Sequence, residues 1–232
     1  MLGSLGQLSG TWDKLNDNLH IPGQRLRRDN DWMIATSGVG ISVSSAASAV
    51  LIHQYRPQTV FLLGLAGLKE GKTSDLGSLV VASSERFLRY GSVDDSGGYQ
   101  NLETKFPLVN PVKVTKPSRA PTYQHGIFIL SDPLEHPTLS TYFTGMARKP
   151  FGSSDQVSHS TLDLEFLERW HPEVEVENME GAAIAMNCAR TGCEMIEVRA
   201  LSNYIGQRDI TQWKIDESFK NLGNWLQQLL GV

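Results

Sequence analysis

Asn178–Trp213, NMEGAAIAMNCARTGCEMIEVRALSNYIGQRDITQW, decides the fold class of this chain. From Gly181 to Arg190 small and apolar residues dominate with helical character, Gly192 supplies a C-terminal stop, and Met195 to Leu201 reads as a largely buried strand. A helix feeding a buried strand is the repeating unit of α/β proteins. Glu180 then stands at the helix start and Asn203 just beyond the strand end. In open α/β sheets ligands collect beyond the carboxyl ends of strands, so Ser202 and Asn203 mark where a site is expected. The purely structural alternative makes Glu180 a first-turn acid favoured by the helix dipole and Asn203 a turn former.

Working outward, Met33 to Thr36 reads as a strand delivering the chain to Gly38 and Gly40, Ile41 to Tyr55 as a helix, and Thr59 to Leu63 as a second buried strand closed by Gly64. Ser78 to Leu88 is long and strand-like. Asp94 to Gln124 is polar, rich in Pro and Gly, and reads as an extended loop or flap. Gly126 to Leu130 returns as a strand, Leu162 to Trp170 as an amphipathic helix, and Ile210 to Leu230 as a closing helix. No repeat or linker divides the chain, so residues 1–232 are expected to form a single domain. Its first 30 residues are atypical: Leu2, Leu5, Leu8, Trp12, Leu15 and Leu19 have helical spacing.

Composition agrees with a soluble enzyme domain. With 232 residues, 40% hydrophobic and 20% charged, the chain can bury one large core. A formal net charge of -4 without a basic block argues against nucleic acid. No run approaches a membrane span or reads as a signal peptide. Two cysteines, Cys188 and Cys193, do not make a disulfide framework, and a cytoplasmic location is expected.

Two glycine motifs invite nucleotide readings, and both fall. Ala66-Gly67-Leu68-Lys69-Glu70-Gly71-Lys72-Thr73 satisfies a loose phosphate-loop pattern, but Ser74 to Ser78 leads into a β-type run where a helix must open to aim its amides. Gly38-Val39-Gly40 lacks the third glycine of a dinucleotide fingerprint because Val43 stands there. Gly38 is better used in a tight turn approaching a small ligand. No histidine pair has metal-binding helical spacing, so neither metal nor cofactor is implied.

The pattern Asn178-Met179-Glu180-Gly181-Ala182-Ala183, then Ser202-Asn203, Gly206, Arg208-Asp209 and Trp213, resembles the nucleoside phosphorylase and nucleosidase superfamily and, within it, the futalosine hydrolase family. The likeness extends more loosely over residues 33 to 230, through Thr36 to Gly40, Leu63-Gly64-Leu65-Ala66-Gly67, and the run Gly77 to Arg86. It implies a three-layer α-β-α domain around a central mixed sheet, and a homo-oligomer. It also implies hydrolysis of the N-glycosidic bond of futalosine, with release of hypoxanthine in menaquinone biosynthesis. By the same resemblance Glu180 holds the ribose hydroxyls, Asn203 faces the base, and Met179, Ser202, Ala66 and Gly67 line the substrate. Arg199 matches a family arginine near the base-contacting acid, and Val157 falls where the family stacks the purine.

Glycosidic cleavage builds positive charge on the sugar and negative charge on the departing base, so an enzyme gains most by binding N7 and fixing the ribose. Two carboxylate oxygens on Glu180 suit the 2'- and 3'-hydroxyls. A carboxylate facing the base offers only acceptors and suits a 6-amino purine protonated at N7, whereas an amide offers an acceptor and a donor for N7–H and O6. Asn203 therefore points to a 6-oxopurine.

Hexameric bacterial phosphorylases place an arginine and a serine on phosphate where this chain has Leu62 and Leu65, which favours water as nucleophile unless Arg25, Arg27 or Arg28 supplies the charge. Arg208 and Trp213 are candidates for the distal carboxylate and ring of the substrate; the alternative is an Arg208–Asp209 salt bridge and an anchoring aromatic. The family opens with a strand and a glutamate that contacts the attacking water, neither of which matches here. The expectation is that Met1 lies inside the first helix of a longer ancestor, with Asp13 a poor substitute. A phosphorylase, a methylthioadenosine/S-adenosylhomocysteine nucleosidase and a silent nucleoside-binding paralogue remain the alternatives.

Overall fold

The computed structural model describes residues 26–29, 32–102, 106, 108–109 and 119–231. In chain order they form β1 (Leu26–Asp29), β2 (Trp32–Ala35), α1 (Ile41–Tyr55), β3 (Thr59–Leu68), β4 (Leu79–Glu85), β5 (Gly91–Val93), β6 (Tyr99–Asn101), β7 (Thr122–Gln124), β8 (Ile127–Ile129), β9 (Ala147–Ser153), α2 (Thr161–Trp170), β10 (Val176–Asn178), α3 (Gly181–Thr191), β11 (Glu194–Tyr204) and α4 (Ile215–Leu230). The expected N-terminal helix and Asp13 lie outside the described residues.

Seven strands make one mixed sheet in the order β11-β3-β10-β9-β4-β8-β7, and β4 pairs again with β11, antiparallel. That last pairing closes β11, β3, β10, β9 and β4 into a ring. The closure is a departure from the open sheet on which the site was first placed. Periodicity reports which face of a strand is buried and is silent about its neighbour.

Helices cover both faces. Along β11, Met195 and Leu201 point to one side, where Leu62, Ala66 and Val80 meet Ile52 of α1 and Ala182 and Ile184 of α3. Ile196, Val198 and Ala200 alternate to the other side, against Leu222, Trp225 and Leu229 of α4. Each such Leu, Ile or Val taken out of water contributes roughly 1.5–3 kcal/mol. The α4 residues recur at spacings of three and four, the stripe that an amphipathic helix buries.

Local readings hold with three corrections. β3 does not close at Gly64: the parallel ladder with β11 carries it to Leu68, and pairing on both flanks outweighs the weak strand preference of glycine. The closing helix begins at Ile215, after a separate turn, Ile210–Gln212, that Asp209 caps through Thr211 N. Asp94 to Gln124 contains β6 and β7, although residues 103–105, 107 and 110–118 lie outside the description.

Strands β9 and β10 had no signal in the sequence. β9 carries Pro150, which cannot donate to a ladder, and tolerates it where the pairing with β4 shifts register between Ala82 and Ser84. That shift also reverses the side-chain alternation of β4. Val80 and Ala82 face α3, and after the extra residue so does Glu85.

Candidate active site

The carboxyl ends of β9 and β10 meet the N-terminus of α3, and Arg199 of β11 and the start of α1 reach the same place. β10 ends at Asn178, two residues before Glu180, which is the N-cap of α3. Asn178 Oδ1 accepts the backbone N–H groups of Glu180 and Gly181 at 2.9 and 2.8 Å, so it takes over the capping that Glu180 does not perform. The Glu180 side chain is thereby released for other work. Its Oε1 accepts the N–H of Gly40 at the start of α1 at 3.3 Å, and its Oε2 accepts Arg199 Nη2 at 3.1 Å. Gly38 therefore belongs to the turn that leads directly to the Glu180 carboxylate. Met179, half-buried, stands beside it.

Arg199 is 3% exposed and forks between two carboxylates, Glu180 and Glu197, whose Oε1 accepts its Nε at 2.8 Å. It further donates to Leu65 O at 3.3 Å and Asn178 Oδ1 at 3.3 Å. Its guanidinium occupies the space left by the missing side chain of Gly64, where a Cβ would overlap Nη1. The arginine thus serves Glu180, the residue expected on the sugar. Sequence had placed it near the base-contacting side chain, yet Asn203 is not among its partners.

On the other side, β11 pairs with β3 as Leu201↔Ala66 and Asn203↔Gly67, with a register shift between Leu201 and Asn203. Ser202 is the extra residue, and the bulge re-aims the side chains beyond it. Ser202 Oγ donates to Ala66 O at 3.4 Å and to Asn203 Oδ1 at 2.8 Å as alternative partners. Asn203 Nδ2 donates to Tyr204 O at 2.9 Å and lies 3.4 Å from where a Gly67 Cβ would be. One lone pair on Oδ1 and one hydrogen on Nδ2 are left for a ligand.

The remaining candidates lie further out. The loop bearing Val157 is tied to the site by Asp155, whose Oδ1 accepts Ile41 N at 2.6 Å and caps α1; Val157 itself is 38% exposed. Arg208 lies over the Trp213 ring at 5.6 Å, while the Asp209 carboxylate is engaged by Thr211 and Gln212. Trp213 is anchored through its Nε1 to Gln207 O at 2.9 Å. Leu62 and Leu65 pack into the apolar layers. Of the cations weighed for phosphate, Arg25 and the side chains of Arg27 and Arg28 lie outside the described residues. Lys69 and Lys72 sit in a turn and pair with Glu168 and Glu175. No three His, Cys, Asp or Glu residues gather as a metal site among the described residues, and no described helix is long and apolar enough to cross a membrane.

Sequence reasoning did not single out Asn178 as the orienting amide, nor Asp155, Ser153, Glu85 and Glu197. One signal was present: Glu197 and Arg199 are two apart in an otherwise apolar strand, hence on one face, and buried charges require partners.

The family model described as the phosphorylase superfamily matches residues 29–231. The chain belongs to the phosphorylase superfamily. Among curated relatives, the futalosine hydrolase of Streptomyces coelicolor is 26% identical over 216 residues, 91% of this chain and 84% of the relative. That of Thermus thermophilus is 40% identical over 67 residues, only 29% of either chain. Similar solved structures include the futalosine hydrolase of Helicobacter pylori, with TM-score 0.67–0.70 across two structures and, for the native one (TM-score 0.70), 17% identity over 98% of this chain and 91% of that one. The methylthioadenosine/S-adenosylhomocysteine nucleosidase of Colwellia psychrerythraea, solved with adenine, gives TM-score 0.67 and 20% identity over 92% of this chain and 84% of that one.

Proposed function

We propose that this chain is an N-glycosidase that hydrolyses futalosine to hypoxanthine and dehypoxanthine futalosine, a step of menaquinone biosynthesis. The observation that supports it is the pairing of a carboxylate held by Arg199 and the Gly40 N–H with an amide, Asn203, beside Gly67. Glu180 accepts the ribose hydroxyls and keeps a negative charge beside a sugar that turns cationic. Asn203 accepts N7–H with Oδ1 and donates to O6 with Nδ2 as the base departs. Water attacks the anomeric carbon, the C–N bond breaks with its electron pair leaving on the base, and the proton that the water gives up balances the one that the base takes up at N7.

Leu62 and Leu65 offer a phosphate dianion no charge, which supports water over phosphate as nucleophile. Met179, Ser202, Ala66, Gly67 and Gly38 shape the nucleoside contact, Val157 lies against the base, and Arg208 with Trp213 receives the distal carboxylate and ring. The reading carries with it a single-domain cytoplasmic homo-oligomer that needs no cofactor and engages neither nucleic acid nor membrane.

The test is chromatographic detection of free base from futalosine, inosine and methylthioadenosine, each with and without phosphate. Hypoxanthine from futalosine without phosphate is the expected result. Strict phosphate dependence, or adenine from methylthioadenosine as the main product, overturns it.

A further inference from the structure

Behind Glu180 lies a second carboxyl pair that the cleavage chemistry leaves unused. Glu85, at the end of β4, and Glu197, in the middle of β11, are both 0% exposed. They meet where α3 lacks a side chain: a Cβ built on Gly181 would overlap the Glu85 carboxyl and come within 2.6 Å of Glu197 Oε2. Asn178 donates its Nδ2 to Glu85 Oε1, an orientation fixed by the two backbone N–H groups on its Oδ1. Glu85 Oε2 faces Ser153 Oγ at 2.9 Å and Arg86 N at 3.1 Å.

Glu197 Oε1 accepts Arg199 Nε, which makes Glu197 the ionised member of the pair. Its Oε2 is buried and finds no donor among the described residues. Buried acceptors in folded proteins are almost always satisfied. The group facing this one is the Glu85 carboxyl, and a carboxyl donates only when protonated. Charge leads to the same place. Among the described residues, Arg199 pairs with Glu180 and Glu197 and also feels the Glu85 charge, while Arg86 turns its guanidinium toward Glu173.

We propose that Glu85 and Glu197 share one proton, held on the Glu85 side, and that this pair is the positioning device that locks Arg199 between Glu197 and Glu180. Burial, then the neighbouring Glu197 charge, pushes the Glu85 carboxyl well above the usual carboxylate range. Burial also raises Glu197, against the opposing pull of Arg199. With Glu85 neutral, two carboxylates face one guanidinium, and the surplus negative charge stays at Glu180, where a cationic sugar is stabilised. The catalytic consequence rests on the hydrolase reading; the shared proton does not.

Infrared spectroscopy of the wild-type protein near neutral pH is expected to show a protonated carboxyl band that disappears in Glu85→Gln. Linkage gives a second readout. An acid raised above 4.5 by folding keeps its proton while the unfolded chain releases it, so stability falls as pH rises from there toward the folded pKa. Between about pH 5 and pH 7 the slope of the logarithm of the unfolding constant should differ between wild type and Glu85→Gln by about one proton. Glu85→Gln keeps an N–H toward Glu197 while setting its amide nitrogen against the Asn178 or the Arg86 N–H, so it is expected to retain more turnover than Glu85→Ala but less than wild type, and a fall of wild-type turnover on loss of this proton should be absent from it. No protonated band at neutral pH, or equal slopes, overturns the proposal. If Glu85→Gln does not fold, persistence of the band in Glu177→Gln decides, because burial raises the Glu177 carboxyl as well. If no nucleoside is cleaved while band and slope are both seen, the hydrolase reading falls and the shared proton stands.

Discussion

The two ends of the candidate site are built in opposite ways. Glu180 is tied to Gly40 N and Arg199, and Arg199 in turn to Glu197, Asn178 and Leu65, so the proposed sugar end is one polar network spread over five elements, α1, α3, β3, β10 and β11. Among the described residues, Asn203 is held by its sequence neighbours, Ser202 Oγ and Tyr204 O. The contrast teaches where preorganisation has been placed. On the proposed reading, the charge that would meet a cationic sugar is fixed before substrate arrives, and the amide that would read the base keeps hydrogen-bonding capacity for the ligand to complete.

The harshest way to test that contrast is to remove the fixed charge. Glu180→Ala should lower kcat/KM for futalosine by about 10³-fold, read from initial rates, while circular dichroism remains that of wild type. Arg199→Lys keeps the charge and loses the fork, because one ammonium cannot serve Glu197 and Glu180 in the same geometry. A fall of about 10²-fold is expected, and unchanged kinetics would show that the network does not matter.

At the base end the expected signature is a change of preference. Asn203→Asp offers acceptors only, so kcat/KM should fall about 10²-fold for futalosine and rise for methylthioadenosine; equal losses on both would remove Asn203 from base recognition. Arg208→Ala should raise KM for futalosine about tenfold and leave inosine unaffected, and equal effects on the two would sink its role at the distal carboxylate. The smallest effect belongs to the support of α1. Asp155→Ala removes the cap on Ile41 N, at a cost of about 1 kcal/mol, and should lower Tm by about 2–4 °C in calorimetry.

Helices and the motif ends were legible because their signals are local. Ile41 to Tyr55 reads as a helix following Gly40, and the structure gives that helix the same limits. Glu180 and Asn203 were found through the motif that carries them. The resemblance put Arg199 near the base-contacting side chain, and the contact that ties it to Glu180, from β11 to the start of α3, joins residues that no local pattern connects. Glu85 lies at the end of β4, and only the register shift near Ser84 turns it toward Glu197. A one-residue irregularity in a ladder leaves no trace in hydropathy. β10 is three residues long, too short for any period to register.

The ring closed by β4 and β11 also sets an order in time. β3 and β4 emerge early from a ribosome, but the strand that pairs with both, Glu194–Tyr204, comes near the end of the chain. Until it is made, both early strands present unpaired edges, and contacts between such distant segments form slowly. Asn203 and Arg199 arrive on that same strand. The nascent protein therefore acquires the strand that closes its ring and two residues of its proposed site together, and a chain interrupted before residue 194 exposes an aggregation-prone edge and lacks both of those residues.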